Sequence, residues 1–185
     1  SLVICAAGTS YYAALLGKYW IEQIADVPVI VDLASEYRYR EPSIFGQSSM
    51  LVISQSGESL DTLMALRYAK KLGLKTNAIV NVEGSTIDRE VDYSLRTKVG
   101  PEIGVASTKS FTSQVIIFRL MSVWFLQIQN QMDNIKLFED LRNFSYHIND
   151  LFHSAEIKKI NARVIAATNK NLKIEIEEKI NNSTL

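Results

Sequence analysis

The chain has one cysteine in 185 residues, Cys5, set inside an apolar run. No disulfide can form within the chain, and a small buried strand residue in a reducing cytoplasm is the expected role for that thiol. The two histidines, His147 and His153, stand far from it, so the clustered ligands of a metal site are missing and no metal or other cofactor is expected. Prolines are few, at 3. An excess of charge of one sign is missing as well: 20 basic residues meet 20 acidic ones, so no net field draws the chain toward nucleic acid or a membrane surface. The most apolar stretch, VIIFRLMSVWFLQI (115–128), contains Arg119 and falls short of the roughly 20 residues of a membrane span, so it reads as a buried helix. No signal peptide is visible. The chain opens on SLVICAAGTS, directly in an expected strand with no initiator methionine, and is expected to be a piece of a longer protein. Two phosphate fingerprints are also absent: there is no G-x-G-x-x-G and no G-x-x-x-x-G-K-[ST], which argues against a dinucleotide or nucleoside triphosphate site.

What is present is globular. Apolar residues make up 47% and charged ones 22%. Short apolar runs alternate with helical patterns. LVICA (2–6), VPVIVDLA (27–34), SMLVIS (49–54) and TNAIVNV (76–82) read as buried strands, and the less apolar DYSLRTK (92–98) as an edge strand. Helices are expected over 11–25, 59–72, about 86–91 and about 108–130; Gly73, with Lys70 and Lys71 before it, marks the end of the second. Continuous apolar strands alternating with helices predict an α/β fold, a three-layer αβα sandwich around a five-stranded parallel, flavodoxin-like sheet of order 2-1-3-4-5. The expected division is a binding domain over 1–130 and a helical extension over 131–185. In the extension Leu137, Phe138, Leu141, Phe144, Ile148, Leu151 and Phe152 recur at helical spacing. The end, KNLKIEIEEKINNSTL, alternates like a strand in part and reads as helix in part.

In a sheet of that order, ligands bind beyond the carboxyl ends of the first and third strands. The junctions there are AAGTS (6–10) and SQSGES (54–59), and a third, GVASTK (104–109), heads the long helix. Each joins small residues and hydroxyls to a helix start, where free N–H groups and the helix dipole favour an anion. Ser10, Ser59 or Ser107 taken singly fits an ordinary helix cap. Two such junctions meeting at one switch point, with hydroxyls to spare after capping, fit a small phosphorylated metabolite better. Three or four charge-assisted hydrogen bonds of about 1.5–3 kcal/mol each, less the cost of association, correspond to millimolar to micromolar affinity. Glu58 and Glu102 lie beside these junctions as acid–base or cap-assisting carboxylates. Arg38 and Arg40 can reach a phosphate, a partner chain or a surface ion pair. His147 and His153 lie on or near the amphipathic helix, where packing or surface roles are expected.

GTSYYAALLGKYWIE, ASEYRYR, SQSGESLDTL, NVEGSTI and GPEIGVASTKSFTSQ together resemble the first sugar-isomerase (SIS) domain of the glutamine–fructose-6-phosphate aminotransferase family. The motifs run in matching order over residues 1–115, and the helices to about 165 fit by pattern alone. The resemblance implies an enzyme with a glutaminase domain and an isomerase region of two SIS domains, making glucosamine-6-phosphate from fructose-6-phosphate. It implies that Ser54, Gln55, Ser56 and Ser59 bind the sugar phosphate, and that Thr9, Ser10, Val105 and Ser107 contact the sugar side. This chain has Ser59 where many relatives have Thr, and Ala7 where relatives usually have Cys. The family's N-terminal glutaminase cysteine and an E-L-K-H-G-like segment with its catalytic lysine, glutamate and histidine are both absent here. The implied role is the sugar-phosphate-binding half of the parent enzyme, inactive alone, with the second SIS and glutaminase domains missing. A phosphosugar-sensing module and a small stand-alone isomerase using Glu58 or Glu102 are the alternatives. The long apolar helix at 111–130 and the amphipathic one at 134–153 are expected to bury each other or a partner's copy, and a homodimer is expected.

Overall fold

Leu2, Val3, Ile4, Cys5 and Ala6 are all buried, which requires a strand covered on both faces. The computed structural model shows how. It describes residues 1–40, 47–103 and 107–129, together with Glu139, Asn143 and Tyr146. Val105, His147, His153 and, but for those three residues, the expected helical extension lie outside the described residues.

Five strands form one sheet: β1 (Leu2–Ala6), β2 (Val29–Leu33), β3 (Ser49–Ser54), β4 (Lys75–Val80) and β5 (Tyr93–Arg96). Every pairing is parallel, and the order is β2-β1-β3-β4-β5, as the sequence pattern predicts. Four helices lie among them: α1 (Gly8–Ala25), α2 (Leu60–Lys71), α3 (Thr86–Glu90) and α4 (Lys109–Ile128). The two-residue period of the strands sorts the core into two layers. Leu2, Ile4, Ala6, Leu51, Ile53 and Ile79 face α1 and α4. Val3, Cys5, Met50, Val52, Ala78 and Val80 face α2 and α3. β5 is mostly exposed, as expected for an edge.

Helix ends refine the sequence reading. The C-terminus of α2 closes at Gly73 as expected, with the Leu74 amide donating to the Ala69 carbonyl and the Gly73 amide to that of Lys70. α1 starts earlier than expected. GTS forms its first turn, not a loop, because extended Ala7 is the cap residue and a single residue separates strand from helix. α4 is a 20-residue helix, long and apolar enough by length and composition to cross a membrane. In the fold it packs along α1, placing Phe118 and Met121 in the core.

Near contact between those helices depends on Gly17. A Cβ placed there would stand 2.3 Å from Cγ of Phe118, whose side chain is fully buried. The helices therefore meet where one has no side chain and the other has a large one. Gly17→Ala gains up to about 1 kcal/mol of helix propensity, and overpacking of this kind costs about 1–3 kcal/mol. Thermal melts should place Gly17→Ala below the parent and Gly17→Val lower still. A Gly17→Val protein that melts with the parent would show that the helix contact tolerates the added volume.

Candidate functional site

β1 and β3 are neighbours, with Ala6 paired to Ile53, so Ala7 and the segment after Ser54 leave the sheet side by side. The chain then turns to opposite faces, into α1 on one and α2 on the other. This is the topological switch point, and the starts of α1 and α2 both open toward it. Thr9 is exposed in the first turn of α1, and Ser10 is buried one residue on. Ser10 is the third residue of the helix, so it does not cap it.

Residues 54–59 form a tight, internally bonded loop. The Ser54 hydroxyl, nearly closed from solvent, accepts from the Gly57 amide at 3.0 Å. The exposed Ser56 hydroxyl accepts from the Glu58 amide at 3.2 Å. Ser59 occupies the cap position of α2, but its hydroxyl accepts from the Thr62 hydroxyl at 3.1 Å and makes no cap bond. Its carbonyl takes the Leu63 amide instead. The three serines therefore shape the turn, and none of their side chains neutralises the N-terminus of α2.

The loop is buttressed by the segment after β4. The carbonyl of half-buried Gln55 accepts from the Asn81 amide at 3.2 Å, and that of Gly57 from the Ile87 amide at 3.0 Å. The Glu58 carboxylate accepts from the Thr86 amide at 2.7 Å, which draws its pKa below the usual carboxylate range. Gly57 has φ +67, and a Cβ there would lie 1.9 Å from the buried hydroxyl of Ser85. Both the backbone conformation and the close approach exclude a side chain at this position.

The third junction is already filled. Oε1 of Glu102 accepts from the amides of Thr108 at 2.8 Å and Lys109 at 3.1 Å, and Oε2 from the Ser107 hydroxyl at 3.3 Å. Thr108, not Ser107, is the cap residue of α4, and Glu102 supplies the anion that its dipole favours. Hydrogen bonds from Ser110 and Thr108 hold the Glu102 carboxyl down, at about 2. Ser107 is thus tied to Glu102, not to the serine loop. Both candidate acid–base carboxylates serve helix starts.

The remaining candidates resolve as packing and ion pairs. Arg40 pairs with the buried Asp32 at 3.1 Å, and Arg38 stacks on Tyr39 at 4.6 Å. Burial, with Asp32 nearby, pushes the Cys5 thiol far above its usual range, as suits an inert core residue. Among the described residues no group of three or more His, Cys, Asp or Glu side chains could hold a metal ion.

Sequence reasoning missed Asn81 and Ser85 as members of this edge. Asn81 looked like the end of a strand, and its bonding partners lie in other loops. The Glu102 cap also sets a pH dependence. Its folded carboxyl titrates below its ordinary value, so its stabilisation is complete above about pH 4.5 and is lost as pH falls toward 2. Glu102→Gln should melt below the parent at neutral pH, and the gap should close across that window. A constant gap in melts between pH 7 and pH 2.5 would rule out the charged cap.

The comparisons with known proteins agree with this fold. A family model described as the SIS domain matches residues 1–123. The glutamine–fructose-6-phosphate aminotransferase (isomerizing) of Clostridium tetani is 47% identical over 149 residues, covering 80% of this chain and 24% of that protein. The one from Brucella abortus is 50% identical over 135 residues, covering 73% and 22%. The chain thus spans about a quarter of the length of these relatives. Among solved structures, the C-terminal domain of glucosamine-fructose-6-phosphate aminotransferase from Francisella tularensis superposes with a TM-score of 0.74 at 42% identity, over 77% of this chain and 41% of that one. A phosphosugar isomerase structure from Clostridium difficile, at TM-score 0.72 and 21% identity, shares the fold. The match runs from the first strand well into α4 and takes in the whole sheet and both open helix starts: the chain belongs to the SIS domain family.

Proposed function

We propose that this chain is the sugar-phosphate-binding half of the isomerase region of a glutamine-dependent glucosamine-6-phosphate synthase, and that it holds fructose-6-phosphate or glucosamine-6-phosphate at the carboxyl edge of β1 and β3. The observation that carries the reading is the loop 54–59. It presents an exposed serine and a helix start with no side-chain cap, in a chain that over 135 residues is 50% identical to a glutamine–fructose-6-phosphate aminotransferase (isomerizing). Ser54, Gln55, Ser56 and Ser59 grip the phosphate; Thr9, Ser10, Val105 and Ser107 meet the sugar, Val105 lying outside the described residues.

The loop's bonding suggests how the grip works. The amides of Gly57 and Glu58 are paired with neutral hydroxyls. A phosphate oxygen is a stronger acceptor than a serine hydroxyl. It can take those amides and leave the Ser54 and Ser56 hydroxyls to donate. Both partners improve, and the dipole of α2 adds to the attraction.

A stand-alone isomerase is the weaker reading. It needs a carboxylate free to move a proton. Glu58 and Glu102 are each engaged by backbone amides, which hold their pKa below the ordinary carboxylate range. In this proposal the ring-opening and proton-transfer groups belong to a second SIS domain of the parent, ammonia comes from its glutaminase domain, and residues 131–185 lead toward that second domain. The buried single cysteine fits a cytoplasmic parent.

The partner surface is α4. Ile116, Leu120, Trp124 and Ile128 are exposed at every fourth position, one stripe along the helix. The occupant proposed for this stripe is a second copy of the chain.

Two experiments test these readings. Glucosamine-6-phosphate should raise the melting temperature of the chain. Ser56→Ala should weaken binding by roughly tenfold or more, the loss of one charge-assisted hydrogen bond. Equal shifts in both proteins would remove Ser56 from the grip. In sedimentation the chain should run as a dimer, and Trp124→Glu should run as a monomer; a monomeric parent at high concentration would refute the dimer.

A further inference from the structure

Asn81 directly follows β4 and is partly buried. Its amide donates to the Gln55 carbonyl at 3.2 Å. Its side chain makes three hydrogen bonds elsewhere. Oδ1 accepts from the Thr97 hydroxyl at 2.9 Å and the Val99 amide at 3.0 Å, while Nδ2 donates to the Gly100 carbonyl at 2.8 Å. One residue therefore touches the serine loop with its backbone and the segment after β5 with three side-chain bonds.

That segment leads directly to the start of α4. Pro101 accepts from the Lys109 ammonium at 2.8 Å, and Glu102 takes the amides of Thr108 and Lys109. Residues 97–102 are thus pinned at both ends, to Asn81 on one side and to the first turn of α4 on the other. Three successive loops at the carboxyl edge of the sheet form one hydrogen-bonded frame. Local turn chemistry does not account for it. A residue satisfying its own turn bonds to neighbours two to four positions away, and the side-chain partners of Asn81 are 16 to 19 positions away.

We infer that Asn81 is a positioning residue that sets the span between the serine loop and the start of α4, and so favours a ligand that reaches both. The inference rests on the proposed sugar-phosphate site. Under it, Gln55 and its neighbours hold the phosphate, and Ser107, next to the Glu102 cap, meets the sugar. Inorganic phosphate needs the first loop alone. A hexose phosphate needs both loops at the right separation. Asn81 touches neither ligand, and its effect appears as a difference between the two.

The test is a titration of the chain with glucosamine-6-phosphate and with inorganic phosphate. Asn81→Ala should weaken the sugar phosphate by roughly tenfold, as expected for the loss of three hydrogen bonds, two of them partly buried, and inorganic phosphate by less than about twofold. Thr97→Val removes one bond of the frame and keeps the fold's volume; it should show the same selectivity with a smaller loss. Equal losses for both ligands, or none for either, in the two variants would overturn the inference. A parent chain that binds neither ligand would overturn the site reading itself. The frame is then judged by amide hydrogen exchange. Faster exchange at both Val99 and Thr108 in Asn81→Ala supports it, and an unchanged rate at Thr108 overturns it.

Discussion

A parallel sheet must have both faces covered, and each strand-to-strand connection must cross over a face to do it. That constraint organises this chain. β1 sends its helix to one face, and β3 and β4 send theirs to the other. Crossovers of one hand make these two choices inseparable from the strand order β2-β1-β3-β4-β5. Where the order reverses, between β1 and β3, the chain parts to opposite sides and leaves a crevice. Helix N-termini line it because each crossover helix begins at that edge. The site is in this sense a by-product of covering the sheet, and the side chains in the loops decide what it can hold.

Each helix start at this edge carries backbone amides that no intrahelical carbonyl satisfies. The chain meets that demand unevenly. α4 receives the carboxylate of Glu102, and the first amide of α3 receives that of Glu58. Both carboxyls are held ionised by the bonds they accept, so both donate negative charge to a helix dipole. α1 and α2 receive no cap bond from the side chain of their cap residues, Ala7 and Ser59. Among the described residues, carboxylates bond the starts of α3 and α4, while α2 carries Asp61 in its first turn and α1 no acid there; under the proposed function the anion is received at the two starts that lack a carboxylate bond. A carboxylate placed where Ser56 stands would repel a phosphate; a hydroxyl there can donate or accept.

Much of this was legible in the sequence, and the limits have physical causes. LVICA and SMLVIS are strands of the expected bounds because continuous apolar runs of five or six residues flanked by small polar ones have few alternatives. The end of α2 was legible because a glycine after two lysines states a terminus chemically. The start of α1 was not, because its cap is made by the extended backbone of Ala7 and not by a capping side chain. Ser10 and Ser107 were cap candidates by residue type, and each sits out of position, at the third helical residue of α1 and one residue ahead of the α4 cap. The hydroxyls of 54–59 could be counted in the sequence, but not apportioned. Whether a serine caps a helix or shapes a turn depends on which neighbouring group its hydroxyl meets, which no pattern encodes. Asn81 was invisible for another reason: its partners at 55, 97, 99 and 100 are brought together only by the pairing of β3, β4 and β5.

Under the proposed function, the frame around Asn81 bears on why a binding half can be kept separate from catalytic groups. A phosphate grip needs rigid donors, because a loop that must be ordered on binding loses affinity to the ordering cost. Here the serine loop is braced from behind by Asn81, Thr86 and Ile87, and its one left-handed residue, Gly57, fits against Ser85. A proton-transfer group has the opposite need: it must gain and lose charge near neutral pH, so it cannot be committed to capping a helix. Glu58 and Glu102 are committed in just that way. A rigid anion grip and a titrating base therefore place conflicting demands on the same short loops. On the proposed function, a chain that meets the first demand leaves the second to groups in the parent's other domains.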